Sequence, residues 1–159
     1  MTGSTGCLFV YACPASLRAA VDGALAAAVA EHDPLAWSPH DGALAVNAEW
    51  SGQSGSGATL AQTLRALGAL TFEVTEDAAP GWDGERFSFV PGLGLFRAAT
   101  NAIGDVVVDE NQLMAAVRLA PNAEALRERL ARLVGKPWDD ALEPFRWRSE
   151  PPEQAAAVG

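Results

Sequence analysis

The chain has 159 residues, 49% of them hydrophobic and 19% charged, with a formal net charge of −9. This is the size and balance of one ordinary globular domain, able to bury roughly 70% of its unfolded surface without a metal or a disulfide, and the apolar content excludes a disordered polymer. An acidic body repels phosphate backbones and anionic lipid, so no nucleic acid and no membrane surface is expected as a partner.

The charge is uneven. Residues 1–121 carry a balance of −8 and residues 122–148 a balance of +1, and Lys136 is the single lysine beside ten arginines. Residues 1–5 are small and polar and are expected to fray. Cys7-Leu8-Phe9-Val10-Tyr11-Ala12 is apolar on both faces, which predicts a strand covered above and below and therefore central in a sheet. Cys7 and Cys13 fall on one face of that strand, about 20 Å apart and beyond disulfide reach. They read as small apolar residues in a reducing cytosol. No basic leader precedes them, and no apolar run approaches a membrane span, so a cytoplasmic location is expected.

After Pro14, Leu17, Ala20, Val21, Ala24, Leu25, Ala28 and Val29 recur at helical spacing, and Asp33-Pro34 ends the helix. Leu35–Ser38 reads as a short strand, Pro39–Gly42 as a turn, and Leu44, Val46, Ala48 and Trp50 as the inner side of a strand. A small-residue loop at 51–57 leads into a helix over 58–67, stopped by Gly68. Residues 69–99 then alternate apolar and polar in three runs. These are broken by Pro80-Gly81-Trp82-Asp83-Gly84 and Pro91-Gly92, which predicts three antiparallel strands. A further short strand follows at 105–108. Asp109 with Gln112 has capping-box spacing and opens a helix with Leu113, Met114 and Val117 on its apolar face. A second helix runs from Pro121-Asn122 to Val134 with Leu126, Leu130 and Leu133 inward. Trp138, Leu142, Phe145 and Trp147 are spaced as anchors for a segment lying down on the domain. The fold class is α+β: a ferredoxin-like βαββαβ core extended by an antiparallel β-meander, with C-terminal helices packed on it. It is expected as a single domain over 1–148 with a mobile tail at 149–159.

Several constellations bear on chemistry. Gly52-Gln53-Ser54-Gly55-Ser56-Gly57-Ala58-Thr59 has phosphate-loop spacing but alanine in place of the lysine, so it reads as a turn in which Ser54 or Ser56 caps the helix. His32 and His40 sit in turns beside Asp33 and Asp41. Two histidines and two strand cysteines assemble no metal set, and no cofactor motif is present. In the loop, Trp82, Asp83 and Arg86 offer a flat surface, a turn and a cation for a small anion or a partner side chain. The alternative is a packed loop with a surface ion pair. On the sheet face away from the two helices, Asn47, Glu49, Thr71, Glu73 and Thr75 rim an apolar strip. They form either a ligand cleft with a carboxylate base or a face covered by the extra strands or the C-terminal segment. Asp139 reads as the cap of a short helix.

Phe72-Glu73-Val74-Thr75-Glu76, Pro80-Gly81 with Asp83-Gly84, Leu93-Gly94-Leu95-Phe96, Gly135–Asp140 and Leu142–Arg146, with Gly6–Val10 and Ser54–Gly57, resemble an uncharacterised actinobacterial family, domain of unknown function 3145. The resemblance covers about residues 5–148. It implies no activity, cofactor or catalytic residue. The sequence departs from the family pattern at Arg97, where histidine is expected. A cytosolic binding or regulatory module that self-associates is the leading expectation. A small carboxylate enzyme, with Glu49 or Glu73 as base and Arg86 orienting an anionic metabolite, and a structural subunit of a larger complex are the alternatives.

Overall fold

The computed structural model describes residues 3–148. The tail expected to be mobile at 149–159 lies outside the described residues. In chain order the elements are β1 (Gly3–Cys13), a single 3-10 turn at Ala15–Leu17, α1 (Arg18–Ala28), β2 (Glu31–His32), β3 (Ser38–His40), β4 (Ala43–Gln53), α2 (Ser56–Leu67), β5 (Thr71–Glu76), β6 (Gly84–Val90), β7 (Gly94–Thr100), β8 (Val106–Val107), α3 (Glu110–Leu119), α4 (Ala123–Leu133) and α5 (Lys136–Arg148).

Among the described residues the strands form one antiparallel, α+β-type sheet in the order β2-β4-β1-β5-β6-β7-β8, with β3 also paired to β4. The doubly apolar β1 lies mid-sheet, as expected, between β4 and β5. Leu8 and Val10 join Val46, Ala48, Trp50, Phe72, Val74, Phe87 and Phe89 on one face, against Val21, Ala24 and Leu25 of α1 and Leu60, Ala61 and Leu64 of α2. Complete burial of side chains such as Phe72 and Phe87 stabilises by about 1.5–3 kcal/mol each. Tyr11, Phe96, Trp138 and Leu142 form a second, smaller core on the opposite face, under α5.

The structure corrects the sequence reading at several points. Residues 3–5 do not fray: Gly3, Ser4 and Thr5 pair with Gln53, Gly52 and Ser51. Leu35–Ser38 is not one strand. The pairing is split between β2, opposite Trp50 and Ser51, and β3, opposite Ala43, Leu44 and Ala45. Asp33-Pro34 lies in this gap, where proline supplies no ladder donor. Cys7 and Cys13 do not share a face. A register shift after Val10 turns Cys13 into the helix-side core, while Cys7 stays opposite Glu49 and Thr75; an extra residue in one strand reverses the side-chain alternation. Both thiols are free.

The capping box of α3 forms as read, with the Gln112 amide N–H donating to Asp109 at 2.8 Å and the Asp109 N–H donating to Gln112 at 3.2 Å. The apolar face of α3 does not meet the core, however. Leu113, Met114, Val117 and Leu119 are all exposed, and only Ala116 is buried. Nor does α4 bury a side chain fully. Asp139 lies inside the first turn of α5 rather than capping it.

Gly6 sits where β1 is most tightly flanked. A Cβ there would lie 1.9 Å from the Thr75 carbonyl oxygen and 2.5 Å from the Trp50 ring. Neither the backbone nor a 3% exposed indole has room to yield. Gly6→Ala is expected to lower unfolding free energy by about 3 kcal/mol, the upper end for overpacking. Urea denaturation checks this, and a loss below about 1 kcal/mol would show that the two strands separate more freely than this packing allows.

Candidate functional site

The sheet face opposite α1 and α2 carries Cys7, Phe9 and Tyr11 of β1. Phe9 is paired with Asn47 on one side and Glu73 on the other, so two of the sequence-predicted site residues flank one aromatic ring position. Their surroundings differ completely.

Glu73 is buried under α5. Its Oε1 accepts hydrogen bonds from the Tyr11 hydroxyl at 2.9 Å and Arg146 Nε at 2.9 Å. Its Oε2 accepts from the Ser88 hydroxyl at 2.8 Å and from the second Arg146 nitrogen at 2.9 Å. Ser88 reaches it because β5 and β6 pair Glu73 directly with Ser88. Arg146 reaches it because α5 crosses this face, and residues seven apart share a helix face, so Asp139 also meets Arg146, at 3.0 Å. Arg86 lies 3.9 Å from the same Asp139 oxygen, which extends the charge chain. Burial, reinforced by the Glu73 charge, pushes the Tyr11 phenol well above its ordinary range, so it stays a neutral donor. For Arg146, burial opposes the charge, but the hydrogen bonds and charge of Glu73 outweigh it and hold the guanidinium above its usual value. A carboxylate whose two oxygens meet four donors has little capacity left to take a proton from a substrate. This arrangement locks α5 down. Trp138 adds a second attachment, its Nε1–H donating to the Gly94 carbonyl at 2.9 Å while its ring stacks on Phe96.

Asn47, by contrast, is exposed and lines an open cleft of about 230 Å³ with Phe9, Tyr11, Ala45, His40 and Phe145. The C-terminal helix therefore covers the Glu73 half of the face and leaves the Asn47 half open. Glu49 lines a separate cleft of about 470 Å³ with Cys7, Asp33 and Asp77. Asp33 there accepts from the Glu49 backbone N–H at 3.1 Å. Burial first, then the charges of Asp77 and Glu49, push the Cys7 thiol up, away from nucleophilic thiolate. Among the described residues no set of three or more His, Cys, Asp or Glu could hold a metal ion.

Trp82 and Asp83 line a third cleft, of about 540 Å³, beside Ser54, Gly55 and Glu76. Trp82 is 62% exposed at the tip of a turn closed by two backbone hydrogen bonds with Ala79. Arg86 does not join them; it donates to the Gly104 carbonyl at 3.0 Å and faces Asp139. The N-cap position of α2 is Gly55, not Ser54 or Ser56. Glu76, buried at the end of β5, accepts from the backbone N–H groups of Gly55 and Gly57, both at 2.9 Å. A carboxylate of the chain itself thus occupies the anion-binding end of α2. Gly57 is needed there, since a Cβ would come within 2.8 Å of Glu76 Oε2. Arg97, at the position where histidine was expected, pairs with Glu85 and lies over the Phe87 ring.

Sequence reasoning missed Tyr11, Ser88 and Arg146 as partners of Glu73, Glu76 as the cap of α2, and His40 and Phe145 as cleft walls. Only Tyr11 left a local signal, sharing the parity of Cys7 and Phe9. The others depend on contacts between elements distant in the chain.

These features define a class: a small α+β protein with one antiparallel sheet, two helices on one face, and a C-terminal helix locked over half of the other by a buried carboxylate–guanidinium pair. The chain belongs to the family described as "Protein of unknown function (DUF3145)", matched over residues 7–155. No curated protein and no solved structure matches it. No helix among the described residues is long and apolar enough to cross a membrane.

Glu73→Gln removes the buried counter-charge of Arg146 and leaves it only the more exposed Asp139. Breaking one side of a buried pair costs several kcal/mol, reduced here because the Arg146 side chain keeps one-third exposure, so the expected loss is about 3 kcal/mol. Limited proteolysis is expected to cut within 136–148 in this variant well before the parent chain, and equal resistance would show that α5 is held by Trp138 and Leu142 alone.

Proposed function

We propose that the protein is a cytosolic binding or regulatory module that recognises a small molecule in the cleft beside Asn47 and performs no chemistry on it. The observation that supports this reading is the state of Glu73. Among the described residues, the one buried carboxylate on the sheet face away from α1 and α2 is satisfied by Tyr11, Ser88 and Arg146 under α5, which weighs against the enzyme alternative. What stays open is an aromatic floor with a few convergent polar groups, the general form of a ligand site. We also infer that β1 to β5 with α1 and α2 are a ferredoxin-like unit in which β2 and β3 together stand for one broken strand. The sheet order around β1 is what supports this. Ligand-observed NMR of the full chain with a mixed library of neutral and charged metabolites is expected to give hits that vanish in Ala45→Trp, which fills the cleft, and that are recovered chemically unchanged. Conversion of any hit into product overturns the reading.

A second reading is carried by α3 and α4. Leu113, Met114, Val117 and Leu119 expose 42–63% of their surface, an unusual density for one short helix. The two helices carry three acidic and four basic side chains in a chain of net charge −9, so two copies meeting here avoid the repulsion that opposes contact elsewhere. The occupant this favours is a second copy of the chain. Light scattering is expected to give a dimer that Val117→Glu converts to monomer without changing the circular dichroism spectrum. A monomer at all accessible concentrations removes this reading.

A further inference from the structure

The cleft over β3, β4 and β1 differs from those beside Glu49 and Trp82 in its lining, which contains no carboxylate, lysine or arginine. We propose that it binds a small, uncharged, planar heteroaromatic ring whose edge carries both a hydrogen-bond donor and an acceptor. This rests on the binding reading above and names its ligand class.

The aromatic side supplies the face. Phe9 and Tyr11, two apart on β1, hold their rings within 8° of parallel with centroids 6.2 Å apart, and Phe145 of α5 leans in at 40° to Tyr11 with centroids 6.0 Å apart. The Tyr11 hydroxyl is turned to Glu73, so Tyr11 offers its ring to the cleft. Offset or tilted aromatic contacts of this kind favour a flat guest. The polar side supplies the edge. The Asn47 amide and the Ser38 hydroxyl each donate and accept. His40 lines the same cleft, and its Nε2 is shielded from solvent with no hydrogen-bond partner. Asn47 and Ser38 are neither purely donating nor purely accepting, which suits a mixed edge.

Size and charge narrow the class further. At about 230 Å³ the cleft falls below the roughly 300–1,000 Å³ of drug-sized sites, so a single ring system fits and a long ligand does not. No counter-charge lines it, and the chain carries −9, so a phosphorylated or carboxylated ring is disfavoured. The same chemistry is offered by a free base and by its nucleoside.

The test is a titration of the full chain followed by proton–nitrogen correlation spectra. The probes are adenine, adenosine and nicotinamide, with benzoate and cyclohexanecarboxamide as the anionic and non-aromatic comparators, each to about 10 mM, the range of weak fragment binding. The expected result is that adenine or nicotinamide moves the amides of Phe9, Ala45 and Asn47. Asn47→Ala, at an exposed position, should weaken the fitted Kd about five- to tenfold with the remaining spectrum unchanged, and Ala45→Trp should abolish the shifts. The adenosine arm separates free base from nucleoside. If the rings are silent while benzoate or cyclohexanecarboxamide moves the same amides, the ligand class is overturned and the binding reading stands. If ring-induced shifts survive Ala45→Trp, the cleft is not their site and the proposal fails. If every probe is silent while the mixed library still gives hits that Ala45→Trp removes, the ligand class is overturned and the binding reading stands; if the library is silent as well, both fail.

Discussion

Two opposite charges held in one place organise this molecule. Glu73 projects from the middle of the sheet into a region that α5 closes, and Arg146 meets it with two hydrogen bonds. A buried ion pair is not in itself a strong source of net stability, because desolvation of both partners offsets much of their attraction. Its consequence here is positional. Only one placement of α5 brings Arg146 to Glu73, Asp139 to Arg146 and the Trp138 Nε1–H to the Gly94 carbonyl at once. An apolar contact alone would tolerate sliding; the fork geometry of a guanidinium against a carboxylate does not.

The position of α5 divides the face it covers. On one side of Phe9 the sheet is sealed and its carboxylate is neutralised. On the other side Asn47, Ser38 and His40 remain beside an aromatic wall to which α5 contributes Phe145. The helix is therefore both cover and wall, and whatever occupies the cleft touches an element held by the Glu73 pair. The opposite end of β5 repeats the theme with Glu76, which occupies the N–H groups of the glycine-serine loop and removes the anion site that the loop spacing suggests.

Much of the sheet was legible because alternation is a local property. The doubly apolar run Cys7–Ala12 placed β1 between two neighbours, and the strand parities put Asn47, Glu49 and Glu73 on one face, where they are found. The replacement of a strand at Leu35–Ser38 by the separate short strands β2 and β3, and the reversal that separates Cys13 from Cys7, were not legible. A bulge is decided by how a strand fits its neighbours. The apolar face of α3 was identified correctly as a pattern but not as exposed, since periodicity reports which residues share a side and not whether anything lies against it.

Composition, periodicity and turn chemistry alone determined the α+β character, the number of long strands, the capping box at Asp109 and the absence of recognisable metal and phosphate-loop signatures, because each of these depends on residues within a turn or a strand of one another. Only the tertiary structure decided that Glu73 is bound to an arginine 73 residues away, that Glu76 caps α2, and that the open cleft lies beside Asn47. These outcomes depend on where α5 comes to rest, and that is set by long-range charge pairing and packing, which leave no period in the chain.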